Sequence, residues 1–358
     1  MKTAPLYPLP PDTFLETPEV MRRLVKAHRY LAELKGIAKT IPNEHILIST
    51  LTLQEAQNSS AIENIITTQD ALYKYKLKPE SQEVATKEVA DYASALEIGF
   101  RKVAEVGLLT LSTILDVQAT LEGNNAGFRK VPGTVLQNQQ TGEIVFTPPS
   151  PEKIPELMGQ LEQFIHLESQ LDPLIRMSVI HHYFETIHPF YDGNRRTGRI
   201  INILFLVKEG LLDTPILYLS RYINQTKGEY YRLLQRVREK NEWTDWLIYM
   251  LRGISRTAQH TIHLVQEISK LLLEYKHQIR ERHKFYSQDL INNIFRHPYT
   301  KVAFLEEELG VSRATAARYL DALADDNLLS KEKLGRENYY VNRRLVELLF
   351  DLPGISRD

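Results

Sequence analysis

The stretch that most limits the fold runs from His188 to Arg199 and reads His-Pro-Phe-Tyr-Asp-Gly-Asn-Arg-Arg-Thr-Gly-Arg. It separates two apolar segments of helical period. Ile175, Val179, Ile180, Tyr183, Phe184 and Ile187 precede it, and Ile200, Ile201, Leu204, Phe205 and Val207 follow. Pro189 disfavours helical dihedrals at His188, so the first helix should stop there. The Asp-Gly-Asn turn then restarts the chain as a helix. That helix's first turn offers unpaired backbone N–H groups and the positive end of the dipole, a ready anion seat. Arg195, Arg196 and Arg199 stand on it, and Arg196 and Arg199, three apart, share a face. Cations at a helix N-terminus oppose the macrodipole, so three of them call for an anion. With His188 as a base and Asp192 as a carboxylate in the same dozen residues, the stretch reads as a phosphate-handling site with its own proton acceptor.

The rest of the pattern is mainly α. Helices are expected from Thr17 to near Gly36, then at about 44–57, 84–106, 108–122, 151–167 and 173–187. Beyond the break, a Tyr230-Tyr231 pair lies on a helix ending near 240, and Trp243 and Trp246 open a long helix into the 270s. Residues 1–15 read as an extended arm, with Pro5, Pro8, Pro10 and Pro11 preventing helix. Between 131 and 146 the period changes: Val131–Leu136, a polar turn from Gln137 to Gly142, and Glu143–Phe146 alternate as a β-hairpin. The charged segment 277–285 reads as a helix end or linker. After it, helices at Gln288–Arg296, Val302–Leu309 and Arg313–Asp325 (capped by Ser312) precede strands at Leu328–Leu334 and Asn338–Val341 around Gly335. That order is the winged helix-turn-helix pattern. Three units are therefore expected: 1–95, 96–276 and 277–358.

The 358-residue length accommodates such a division. A net charge of −1 gives no global attraction to nucleic acid or anionic membrane. In the last unit Arg313, Arg318, Lys331, Lys333 and Arg336 make a modest positive side. Glu306, Glu307, Glu308, Asp321, Asp325 and Asp326 oppose it, so an interaction or structural module is favoured over DNA contact. The absence of Cys excludes a disulfide framework and a thiolate zinc site. The proline-rich start is not a signal peptide and no window reaches a membrane span, so a cytoplasmic protein with no membrane partner is expected. A hydrolytic metal site built from His181, His182 and His188 fails on spacing, because adjacent histidines on a helix point apart. At Ser59–Asn64, Ser60 and Glu63 have the spacing of a capping box.

The 188–199 stretch resembles the Fic (filamentation-induced-by-cAMP) family signature, His-Pro-Phe-x-Asp/Glu-Gly-Asn-Gly-Arg-x-x-Arg. One position departs: Arg195 stands where the family has Gly in the phosphate-cradling loop. Ser59, Glu63 and Asn64 match the family's inhibitory motif, Ser/Thr-x-x-x-Glu-Gly/Asn, here N-terminal to the signature. The resemblance implies a Fic-type helical bundle with a β-hairpin flap at 131–146, plus an appended winged helix. It implies a protein adenylyltransferase moving AMP from ATP to a Ser, Thr or Tyr hydroxyl of a target protein, or of itself.

His188 would be the general base and Asp192 would hold Mg²⁺ on the nucleotide phosphates. Gly193 and Asn194 would cradle the α-phosphate, and Arg196 and Arg199 would take the outer phosphates. Arg195, Thr197 and Gly198 would complete the nucleotide seat, and Tyr231 would lie near the base or sugar. Glu63 would pair with Arg199 and block the γ-phosphate. The flap would register the target's extended segment by strand addition, and a homodimer is compatible with the resemblance. Removal of AMP and transfer of phosphate or phosphocholine share the signature. A transcriptional regulator with a nucleotide-sensing core is the alternative from a different class.

Overall fold

The computed structural model describes residues 8–78, 83–137, 141–168, 170–334 and 337–351. Pro5, the hairpin tip at 138–140, Gly335 and Arg336 lie outside the described residues.

Local chemistry sets most helix ends. The Thr17 hydroxyl accepts from the Val20 N–H at the start of α1 (Pro18–Ala38), and the Asn43 side chain caps α2 (Glu44–Ile62). Thr68 and Thr110 do the same for α3 (Gln69–Leu77) and α5 (Leu111–Glu122). Left-handed Gly107 and Gly123 end α4 (Val84–Val106) and α5. The hairpin follows as β1 (Leu136–Gln137) and β2 (Ile144–Phe146), antiparallel with Leu136 opposite Phe146. Next come α6 (Ile154–His166), α7 (Pro173–Ile187), α8 (Asn194–Lys208), α9 (Leu219–Gln225), α10 (Lys227–Lys240) and the 40-residue α11 (Trp243–Arg282).

α7 is buried from Leu174 to Ile187, and α8 is buried almost throughout from Asn194 to Leu206. These two helices are the centre of the bundle. Each apolar side chain so enclosed contributes about 1.5–3 kcal/mol relative to exposure. α4 and α5 pack on α8, and at Gly99 a Cβ would lie 2.6 Å from Leu204 Cδ1, so glycine is what permits the close approach. α1 lies along α11, and α2 sits between α4 and α9.

Three expectations change. α2 continues to Ile62 instead of ending near 57, which puts Ser60 in its last turn and makes Glu63 its C-cap. The capping-box reading of Ser60 and Glu63 is therefore replaced: no helix starts there. α3 was not expected; it is short and partly apolar, with Leu72, Tyr73 and Leu77 buried. Of the two readings of the charged 277–285 segment, helix end holds and linker does not: α11 runs on to Arg282 with Tyr275 and Ile279 turned inward.

The C-terminal unit comprises α12 (Gln288–Arg296), β3 (Tyr299–Lys301), α13 (Val302–Leu309), α14 (Arg313–Asp325), β4 (Ser330–Leu334), β5 (Glu337–Val341) and α15 (Arg343–Asp351). Its antiparallel sheet has the order β3-β5-β4, the helix–helix–helix–hairpin order read from the sequence with one added strand and a closing helix. Much of its positive charge is answered within the chain: Lys331 pairs with Asp321 at 2.6 Å, Arg343 with Glu332 and Arg344 with Glu274. The unit is tied to α2, where Ser49 Oγ donates to the Arg296 carbonyl at 2.8 Å and Gln54 Nε2 to that of Leu349 at 2.5 Å. Among the described residues no helix is long and apolar enough to cross a membrane.

Candidate active site

The turn between α7 and α8 is held rigidly by its own residues. His188 caps α7 in the left-handed region (φ 50°), its N–H donating to the Phe184 carbonyl at 3.0 Å. Gly193 is also left-handed (φ 74°), a conformation that favours glycine, and a Cβ there would displace Glu122, whose Oε1 would lie 2.3 Å away. Asn194 closes the loop on itself. Its Oδ1 accepts from the Phe190 N–H at 2.8 Å and its Nδ2 donates to the Phe190 carbonyl at 2.9 Å. That buried amide shapes the turn, beside the unpaired backbone N–H groups that open α8. Asp192 is exposed at the rim, with Oδ1 accepting from the Gly193 N–H at 2.7 Å.

The anion demanded by three arginines is found inside the chain. Arg199, its side chain 1% exposed, donates through Nη1 and Nη2 to Glu63 Oε1, each at 3.0 Å. It also donates through Nε to Ser59 Oγ at 2.7 Å and through Nη2 to the Ser59 carbonyl at 2.9 Å. The other Glu63 oxygen is held by Arg195 Nη1 at 2.9 Å. The expected pairing of Arg196 with Arg199 on one face is thus corrected. Arg195 and Arg199, four apart, converge on Glu63, while Arg196 turns to Glu122 (2.9 Å) and Glu88 (3.4 Å).

Burial works to raise the Glu63 carboxyl, but Arg199 and Arg195 outweigh it and hold the group below the usual carboxylate range. The C-terminus of α2 is further fixed by Lys227, which donates to the Ile62 carbonyl. Asn64 follows Glu63 at φ 64°.

His188 is buried, and its Nδ1 has no hydrogen-bond partner among the described residues. A free imidazole titrates near 6.5. Here burial, then Arg195, Arg238 and Arg129, push it down to about 3. The ring is therefore neutral at working pH, able to accept a proton but a weak base while those guanidiniums surround it. Arg129 anchors it from outside: Nε donates to the His188 carbonyl at 2.9 Å and Nη2 to that of Pro149 at 2.5 Å, joining the end of the hairpin to the turn. Phe146 of β2 is buried under the Arg238 guanidinium, 4.3 Å away, and Gln235 donates to the Val145 carbonyl at 3.2 Å.

Tyr231 lies beside this turn, with the Arg195 guanidinium 5.0 Å from its ring centre and its buried hydroxyl without a partner among the described residues. Thr197 and Gly198 face inward. Thr197 Oγ1 is buried without a partner, and Gly198 packs against Phe184 and Glu185. His181 and His182 are unavailable to a metal: His181 Nε2 bonds the Tyr230 hydroxyl at 2.8 Å and His182 Nε2 bonds the Leu234 carbonyl at 3.2 Å. Both are pushed below the ordinary imidazole range, chiefly by burial.

The sequence reading missed Glu185, Arg238, Arg129, Glu88 and Glu122. Glu185 had a local signal, one helical turn before His188, and its carboxyl is raised by burial with one oxygen unpartnered. The others come from distant segments that no spacing rule connects. Among the described residues no group of three His, Cys, Asp or Glu could hold a metal unaided.

Comparison with known proteins bears on the family and the fold. Residues 21–101 match the Fic/DOC family N-terminal model, 108–206 the Fic/DOC family model, and 271–345 the C-terminal domain of protein adenylyltransferase SoFic-like proteins. A probable protein adenylyltransferase of Aquifex aeolicus is 37% identical over 79 residues, 22% of this chain and 25% of that protein. Protein adenylyltransferase fic-1 of Caenorhabditis elegans is 34% identical over 91 residues, 25% of this chain and 17% of that protein. The match therefore spans a quarter or less of either relative's length. Among solved structures, a Fic family protein from Desulfovibrio desulfuricans G20 superposes with a TM-score of 0.58 over 92% of this chain and 97% of that one, at 19% identity. Fic-1 from C. elegans gives 0.52 over 69% of this chain and 73% of that one, at 20% identity. In order along one chain, this protein carries a Fic/DOC N-terminal segment, a Fic/DOC segment and a SoFic-like C-terminal segment, on a fold it shares with a solved Fic family protein.

Proposed function

We propose that this protein transfers AMP from ATP to a hydroxyl of a protein target, itself included, and that Glu63 holds it at rest. The observation that carries the reading is Glu63 bound by Arg195 and Arg199 on the first turns of α8, beside a buried imidazole with an unpartnered nitrogen. A carboxylate occupies the place a phosphate would take. The relatives' names as protein adenylyltransferases support the reaction type.

In this reading His188 accepts the hydroxyl proton as the target oxygen attacks the α-phosphorus. The oxygen–phosphorus bond forms as the bond to the leaving diphosphate breaks. Backbone N–H groups at the start of α8, opened by Gly193 and shaped by Asn194, meet the charge growing on the α-phosphate. Arg199, with Arg195 or Arg196, draws off the charge of the diphosphate. Tyr231 borders the nucleoside. A single exposed carboxylate, Asp192, suits Mg²⁺, a hard cation that keeps waters and shares phosphate oxygens. Bound there, the ion would offset phosphate charge. Strand addition along β2, whose Ile144 and Val145 are exposed, registers the target's acceptor segment. The C-terminal unit serves as an interaction module, with Lys331, Arg343 and Arg344 already paired within the chain.

Incubation with α-labelled ATP and Mg²⁺ tests this. Glu63→Gly should label itself or added protein faster than the wild type, and His188→Ala should bind ATP without labelling. Label carried by His188→Ala at the wild-type rate would remove His188 as base. γ-labelled ATP yielding protein-bound label would assign phosphate transfer instead.

A further inference from the structure

We infer that Arg195 exchanges partners during the reaction cycle: it holds Glu63 in the resting site and takes an outer phosphate of the nucleotide once Glu63 leaves. This rests on the adenylyl-transfer reading above. The two guanidiniums on Glu63 are not equivalent. Arg199 is fully enclosed and, besides Glu63, donates to Ser59 Oγ and the Ser59 carbonyl. Arg195 is 28% exposed along its side chain, and among the described residues its ion pair is with Glu63. The Tyr231 ring supports its guanidinium from one side, 5.0 Å away, and keeps it pointed at the site.

If Glu63 withdraws, Arg199 retains its Ser59 acceptors but Arg195 loses its ion-pair partner on the first turn of α8, where the macrodipole already disfavours positive charge. A phosphate reaching that helix start restores the balance with the same charge and the same acceptor geometry as the carboxylate. Arg195 therefore adds a second hold on the inhibitory carboxylate and, after release, a further cation for ATP. One substitution should consequently have opposite effects in the resting and released proteins.

The test uses the full chain with α-labelled ATP and Mg²⁺ in four forms: wild type, Arg195→Gln, Glu63→Gly, and the double variant. Glutamine preserves helix propensity, so the fold should be retained. Arg195→Gln should label roughly tenfold faster than wild type, the effect of removing one charge-assisted hydrogen bond from the hold. In the Glu63→Gly background the same change should raise the KM for ATP by about tenfold, with no gain in kcat. Arg195→Lys, which keeps charge but not the fork, should fall between in both backgrounds. Labelling by Arg195→Gln at the wild-type rate, or an unchanged KM in the double variant, overturns the inference while Glu63→Gly activity preserves the underlying reading. Failure of Glu63→Gly to label anything overturns the reading itself.

Discussion

Replacing Glu63 by Gln is the sharpest probe of the site, because it should move stability and activity in opposite directions. The carboxylate accepts three guanidinium hydrogen bonds at 2.9–3.0 Å. A bond to a charged group contributes about 1.5–3 kcal/mol where buried. Glu63 is 19% exposed, the bonds are not additive, and the amide retains one acceptor oxygen. A net loss of about 2 kcal/mol for the closed arrangement is the reasonable magnitude. At 1.36 kcal/mol per tenfold, that raises the released population by roughly thirtyfold. The melting temperature should fall by a few degrees, each kcal/mol being worth about 2–4 °C or less in a chain of this size. Calorimetry at neutral pH gives the first quantity and initial rates with α-labelled ATP the second. A variant that melts earlier yet labels no faster would refute the argument, because the pair would then be a structural tie and not a gate.

Acid should destabilise the fold through its histidines. His181 and His188 are pushed to about 3 in the folded state, whereas an unfolded imidazole titrates near 6.5. The unfolded chain therefore binds more protons between those values, and stability present above pH ~6.5 should be lost progressively as pH falls toward 3. Denaturant midpoints across that range should show it, with a shallower slope for His188→Ala. Gly198→Ala places a Cβ 2.8 Å from Glu185 Oε1 and 3.1 Å from Phe184 Cδ1, so the Glu185 carboxyl and the Phe184 ring must give way or α7 and α8 move apart. A loss of about 1–3 kcal/mol is expected in chemical unfolding, and an unchanged midpoint would show that the contact relaxes freely. Asn194→Ala removes two buried hydrogen bonds that close the 190–194 loop. It should cost about 1–3 kcal/mol and lower the labelling rate of a Glu63→Gly protein, since the α8 N–H groups lose their fixed aim.

The sequence alone determined the helix, turn, helix architecture around 188–199, because Pro189, Gly193 and the flanking apolar periods are local steric and solvation constraints. It likewise placed a hairpin within 131–146, whose paired strands (Leu136–Gln137 and Ile144–Phe146) are shorter than the alternation suggests, and set the order of elements in the C-terminal unit. Ser59, Glu63 and Arg199 were legible as a set through a motif. Their distances were not, nor was the sharing of Glu63 with Arg195. Only the tertiary structure decided where each arginine turns, because a guanidinium's partner depends on which carboxylates folding carries to it, and Glu63, Glu88 and Glu122 arrive from α2's end, α4 and α5. The same holds for His188. Its identity is a matter of sequence, but its proton affinity is set by burial and by Arg129, Arg195 and Arg238 from three separate segments. Periodicity reports which face of a helix is apolar; it cannot report which charges face one another across a packed bundle.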